Sequence, residues 1–306
     1  MSEPIDLRTD PEIVAGGPQP LTQKAFEAMS TILAAGSYEQ TQRSTRAYLA
    51  AADLIEGLRL KWLWVALAQQ DMKLRYRGSI LGPFWQTLTT ALLIGGLGFI
   101  YPQLFHVEIE EYLPMVATGL VFWTFVTSMI NEGCKTFNEV SHILHVVKLP
   151  FSVHAYRVVY RNILTLAHNF VIVPVVLIIY PPPVGWADLA WLLIGFTLVT
   201  LNGVWICLLF GMFSARYRDV PPIVGSVVQL LLFVTPVFWQ YEQLGPKGWW
   251  AQLNPLFAAI DVMRAPLLGR SPAPYSWVIM LLVTLVGGGV TFALFARLRH
   301  RLPFWV

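Results

Sequence analysis

Residues 73–105 read KLRYRGSILGPFWQTLTTALLIGGLGFIYPQLF. Three cations, Lys73, Arg75 and Arg77, lead straight into an apolar run. The run matches the roughly 20 residues a helix needs to cross hydrocarbon. The same reading extends down the chain. Six segments qualify as spans, at about 82–104, 112–134, 158–180, 188–213, 220–240 and 275–297. The remaining Lys and Arg residues sit mostly at alternate breaks. Lys135 and Lys148 follow the second run, Arg216 and Arg218 the fourth, and Arg297, Arg299 and Arg301 the last. The breaks Phe105–Glu111 and Pro181–Asp188 contain neither residue type. That is the positive-inside asymmetry of a multi-span membrane protein with both ends in the cytoplasm. The expected fold class is an all-α membrane protein, and transport rather than soluble catalysis is the leading function.

Composition points the same way. The 306 residues are 56% hydrophobic and 13% charged, with a net charge of +3. A soluble domain carries about a quarter charged residues. Cations gathered at helix ends suit the anionic headgroups of membrane lipids better than nucleic acid. Cys134 and Cys207 lie in apolar context and read as reduced core residues. The first fifty residues hold no apolar run, so no cleavable signal peptide is expected.

Three regions follow. Residues 1–48 read as a polar cytoplasmic tail, and 49–78 as an amphipathic interfacial helix. In the latter, Ile55, Leu58, Trp62 and Val65 recur at helical spacing, while Asp53, Glu56, Gln69, Gln70 and Asp71 keep the rest polar. A helix of a small cytoplasmic domain is the alternative. Residues 79–306 form the six-span domain. Two of its links stand out. Between the second and third spans, Val140, Ile143, Leu144 and Val147 recur at i, i+3, i+4 and i+7, giving a short helix over about 138–149. Its single apolar face needs a partner groove or a lipid surface. After the fifth span, about 243–272 is rich in Trp249, Trp250, Leu253, Phe257, Ile260 and Met263 but broken by Pro255 and Pro266. A pair of short re-entrant or interfacial helices, or a surface lid, fits that stretch.

Signatures of catalysis are missing. There is no phosphate-binding G-x-x-x-x-G-K-[ST] loop, no G-x-S-x-G, no H-E-x-x-H and no paired-cysteine metal pattern. His142 and His145 are i, i+3 neighbours without a third ligand. Polarity concentrates in the third span. His154, Arg157, Arg161 and His168 share one helical stripe, with Asn162 and Asn169 beside it. An arginine facing lipid costs at least a few kcal/mol, so these groups face protein, water or headgroups. They form either a polar wall or phosphate site, or anchors that snorkel to the interface. The aromatics Phe122, Trp123, Phe125, Phe233, Phe238, Trp239 and Tyr241 either stack on sugar faces or fill the core and interfacial belts.

Four stretches carry a family resemblance: DMKLRYRGSILGPFW at 71–85; Lys148-Leu149-Pro150 with RVVYRN at 157–162; ARYRDV at 215–220; and Asn254-Pro255 with Arg264 and Gly269. Together they resemble the permease subunits of ABC transporters that export polysaccharides and polyol phosphates, most of all the Wzm-like permeases of O-antigen and lipopolysaccharide export. The likeness covers about residue 50 to the end. It implies that two copies pair, each with six spans. Each copy docks an ATPase subunit, which carries the ATP and Mg, through Asn138, Glu139, Ser141, His142, Ile143, Leu144, His145 and Lys148 and the interfacial region. The chain itself binds no cofactor. The implied cargo is a polysaccharide on undecaprenyl pyrophosphate, moved across the bacterial inner membrane. On this reading Arg75, Arg77, Arg157 and Arg161 are candidates to hold the pyrophosphate, because guanidinium groups grip phosphate bidentately. Phe122, Trp123, Trp239 and Tyr241 are candidates for the sugar path. Two other readings stand beside it: an ABC permease for a small molecule or lipid, and an ATP-independent channel or carrier. The last would want acidic residues inside spans, where Glu132 is the only candidate.

Overall fold

A computed structural model describes residues 37–141 and 149–306. Among these residues every regular element is helical. In chain order they are α1 (Ser37–Arg59), α2 (Lys61–Arg75), α3 (Phe84–Phe105), α4 (Ile109–Gly133), α5 (Ser152–Asn169), α6 (Ile172–Ile179) and α7 (Trp186–Arg216). Then follow α8 (Val220–Val234), α9 (Trp249–Gln252), α10 (Pro255–Leu267) and α11 (Pro274–Leu298). Short 3-10 turns occupy Asn138–Val140, Tyr241–Gly248 and Arg299–Phe304.

Among the described residues, five stretches are long and apolar enough to cross a membrane: Phe84–Leu104, Ile109–Gly133, Ser152–Ile179, Trp186–Arg216 and Pro274–Phe304. The fifth run expected from the sequence, 220–240, is shorter than anticipated. Helix α8 ends at Val234 after 15 residues. That is about 22 Å of helix against a hydrocarbon core of about 30 Å. The cause is Pro236, which forces the residue before it out of the helical region. Thr235 accordingly has φ −88° and ψ 131°. Helix α8 starts just after α7 ends, and beyond its far end the Asn254 amide donates to Thr235 Oγ1 (2.8 Å) and Arg264 Nη1 to the Pro236 carbonyl (3.1 Å).

The bundle is built around α4. Of its most apolar window 83% is buried, against 22% for α3 and 17% for the α11 stretch. The peripheral helices turn large apolar side chains outward, among them Leu92, Phe99, Ile178, Leu285 and Val286. A water-soluble bundle would place polar groups there, so these faces fit a hydrocarbon solvent. Small residues bring backbones together, as in membrane helix packing generally. A Cβ built on Gly195 of α7 would collide with the Val262 carbonyl of α10. One on Gly119 of α4 would lie 2.6 Å from the Val237 carbonyl.

The N-terminal helix departs from expectation in two ways. It begins at Ser37 rather than near Leu49, where Glu39, Gln40, Gln42 and Arg43 are good helix formers. It also breaks at Leu60 (φ −78°, ψ 36°) into α1 and α2. From Leu49 onward the segment climbs α5. Gly57 meets Ser152, the Trp64 ring lies 5.5 Å from that of Tyr160, and Phe84 at the start of α3 lies 5.5 Å from His168. Asp53 is buried against α5, while Ile55, Leu58 and Trp62 remain exposed. The apolar stripe therefore has no partner within the described chain.

Candidate functional site

Glu132 stands in the last turn of α4, where the apolar run gives way to polar residues. Its Oε1 lies 2.8 Å from Arg75 Nη1 at the end of α2. Its Oε2 accepts from Arg161 Nε (2.9 Å) and Asn162 Nδ2 (3.0 Å), both on α5. Arg161 Nη2 is also 2.9 Å from that oxygen but is not aligned for a hydrogen bond. Asp71 of α2 forms the second centre. Arg157 Nε donates to its Oδ2 at 2.6 Å, Arg157 Nη2 pairs with Oδ1, and Arg161 Nη1 donates to Oδ2 at 3.0 Å. Glu139, in the turn after α4, approaches Arg161 Nη1 at 3.5 Å. Three arginines thus face three carboxylates, and the cluster is neutral. Arg161 is its hub, with 4% of its side chain exposed.

Arg157 and Arg161, read from the sequence either as a phosphate site or as anchors that snorkel to the interface, have their guanidinium groups on carboxylates. Arg75 is also paired, though partly exposed. Arg77 is exposed and makes no ion pair with a described residue. The physical reason is desolvation. A guanidinium carried into a bundle by an apolar helix needs a counter-charge there, and the neighbouring helices supply it.

A second cluster lies at the same end. Phe151 starts α5 and has no side chain that can cap a helix. Asp53 of α1 performs the capping instead, accepting from the Phe151 and Ser152 amides at 3.2 and 3.0 Å. Ser152 Oγ donates to the Asp53 carbonyl (2.7 Å), and Arg299, at the end of α11, pairs with the Asp53 carboxylate (3.2 Å). The two clusters bracket the link between α4 and α5. On its entry side Glu139 reaches Arg161, and Asn138 Nδ2 donates to the Ser214 carbonyl of α7 (3.4 Å). On its exit side Asp53 holds Phe151 and Ser152. Of the residues expected to dock an ATPase, Asn138, Glu139 and Ser141 are described; His142, Ile143, Leu144, His145 and Lys148 lie outside the described residues.

The aromatic candidates separate. Phe122 and Trp123 are packed inside the bundle, Phe122 with its ring 6.2 Å from Phe170. Trp239 and Tyr241 sit at the opposite end from the charged clusters. They line a cavity of about 370 Å³ together with Glu111, Glu242, Arg264 and Tyr275. There the Tyr275 hydroxyl donates to that of Tyr241 (3.2 Å), and Asp261 accepts from Ser276 Oγ (2.7 Å). Sequence reasoning missed Asp53 and Asp71 as partners, reading both as the polar side of a surface helix. Their signal was present: acidic residues at a charge cost on a helix that precedes a span with i, i+4 arginines.

A family model described as ABC-2 type transporter matches residues 63–268. The chain belongs to the ABC-2 type transporter family. The match takes in the whole Asp71–Arg161 network of this ABC-2 chain and leaves Asp53, Arg299 and α11 outside it. Among curated proteins, the O-antigen export system permease protein RfbA of Klebsiella pneumoniae is 24% identical over 244 residues, 78% of this chain and 93% of that protein. The protein of the same name from Myxococcus xanthus is 25% identical over 215 residues, 66% of this chain and 79% of its own length.

Proposed function

We propose that this chain is the transmembrane subunit of an exporter that moves a polysaccharide, linked to undecaprenyl pyrophosphate, out of the cytoplasm across the bacterial inner membrane. The names of its relatives support the cargo class. The observation that carries the mechanism is the bracketing of the α4–α5 link. A separate ATPase subunit, holding ATP and Mg, docks on that link. Movement of the link pulls on Glu139 and Asn138 at one side and on Asp53 at the other. Both clusters tie it to α1–α2 and α5, so displacement reaches the spans as a unit rather than dissipating in a loop.

In this reading two copies pair with two ATPase subunits, and both termini are cytoplasmic. Helix α8 with residues 235–240 completes the sixth crossing, and α9–α10 re-enter from the far side. The exposed stripe of α1–α2 lies in the interface, where its apolar side chains replace water contacts with lipid. Trp239, Tyr241 and their cavity stand at the exit, and Arg77 at the entry. Arg75, Arg157 and Arg161 hold helices together.

Deleting the gene tests the reading. Lipid-linked polysaccharide should accumulate inside the cell and return to the surface on complementation. Normal surface polysaccharide in the deletion strain, with no other glycan retained, would sink it.

A further inference from the structure

We propose that the cavity between the ends of α7 and α11 binds the phosphate headgroup of a membrane lipid, with Arg216 and Arg301 on the phosphate. The inference takes from the exporter reading only the cytoplasmic placement of this end. The cavity holds about 460 Å³. Its lining is mixed: Met212, Phe213, Leu294 and Leu298 are apolar, and Arg216, Arg301, Tyr217 and Trp305 supply charge and aromatic rings. Such a mixed lining suits an amphipathic molecule with a negative head.

Three observations favour lipid phosphate. First, no Asp or Glu side chain among the described residues pairs with Arg216 or Arg301, whereas carboxylates neutralise the arginines of the α2–α5 network. Second, the guanidinium of Arg216 is already placed. It lies 5.6 Å from the Trp305 ring and 5.9 Å from that of Tyr217. These cation–π contacts restrain a group whose N–H edge can grip phosphate bidentately. Third, the apolar lining continues outward. Val286, Val290, Leu294 and Leu298 follow one another at i, i+4 on α11, and Val286 and Val290 are exposed on its outer face. A hydrocarbon tail can follow that stripe while its headgroup stays between the arginines. A soluble phosphate would leave it empty. The turn Arg299–Phe304 builds the site: Leu302 is fully buried, and Arg299 is tied to Asp53 and to the Leu49 carbonyl (2.5 Å), which presents Arg301 and Trp305.

The test is lipid retention by the full-length protein in phosphatidylcholine nanodiscs doped with phosphatidylglycerol or with undecaprenyl phosphate, counted by native mass spectrometry. Wild-type protein should retain the doped lipid. Arg216→Gln/Arg301→Gln should reduce retention at least about tenfold, and Arg59→Gln, exposed and outside the cavity, should leave it unchanged. Arg301→Gln alone, in an exposed turn, serves if the double variant does not fold. Competition between the two lipids names the source: displacement of phosphatidylglycerol by undecaprenyl phosphate assigns the site to the cargo anchor, and the reverse to a resident lipid. Undiminished retention in the double and single variants overturns the inference and leaves the exporter reading untouched. So does release of bound lipid by inorganic phosphate at equal concentration. Normal export without the chain would do the opposite.

Discussion

Arg161 has the densest electrostatic surroundings among the described residues, and its loss should be costly for that reason. With almost no exposure, its guanidinium offsets both Asp71 and Glu132. Replacing it with Gln leaves those carboxylates under-compensated in a poorly solvated site, which costs about 3–5 kcal/mol for a buried pair. Thermal or denaturant unfolding in detergent should show that loss. Adding Glu132→Gln should cost less than the sum of the two single changes, because the second removes a charge the first left unpaired. Strict additivity would mean that the two groups do not interact. Gly57 gives a second prediction at this scale. A methyl group there would collide with Ser152 Oγ, so Gly57→Ala should separate α1 from α5 and cost about 1–3 kcal/mol. Gly95 has open space around its Cβ position, and Gly95→Ala should stabilise its helix or leave it unchanged. Equal melting shifts in the two variants would argue against close α1–α5 packing.

The elements differ in how their lengths are set. Helices α4 and α7 run 25 and 31 residues because nothing within them ends the apolar pattern decisively. Pro114, the sixth residue of α4, removes one early ladder hydrogen bond without ending the helix. Helix α8 is stopped by the Thr235–Pro236 pair, and the chain beyond it is held by Asn254 and Arg264 instead of by further helix. In the proposed exporter, coupling depends on the α4–α5 link. Its apolar residues Ile143 and Leu144 are spaced to face one partner. Changing both to Asp should leave the protein inserted but break ATPase co-purification and export. Intact co-purification with normal export would place the docking surface elsewhere. Glu139→Gln should lower export per ATP hydrolysed, since it cuts the tie from the link to Arg161.

For the whole molecule the testable property is orientation. From the Lys/Arg asymmetry Gly185 is expected outside and Tyr217 in the cytoplasm, and both positions are exposed. A single cysteine at Gly185, in a background lacking Cys134 and Cys207, should react with an impermeant thiol reagent in intact cells. One at Tyr217 should react only after lysis. The opposite pattern would invert the topology. The sequence by itself determined the helical class, the positions of the long apolar runs, the side expected for each link and the family. Those features follow from hydrocarbon length and charge cost, which act on each segment locally. It also marked Arg157 and Arg161 as unusual, because a cation inside an apolar run is costly wherever the run packs. Only the tertiary structure decided what answers that cost. Asp71 and Glu132 are 61 residues apart in number and meet only because α2 and α4 both pack on α5. The same holds for Asp53, which caps a helix that begins 99 residues later, and for the chain beyond α8, which Asn254 and Arg264 hold. A pairing between distant segments is set by three-dimensional packing, and one sequence carries no periodicity that encodes it.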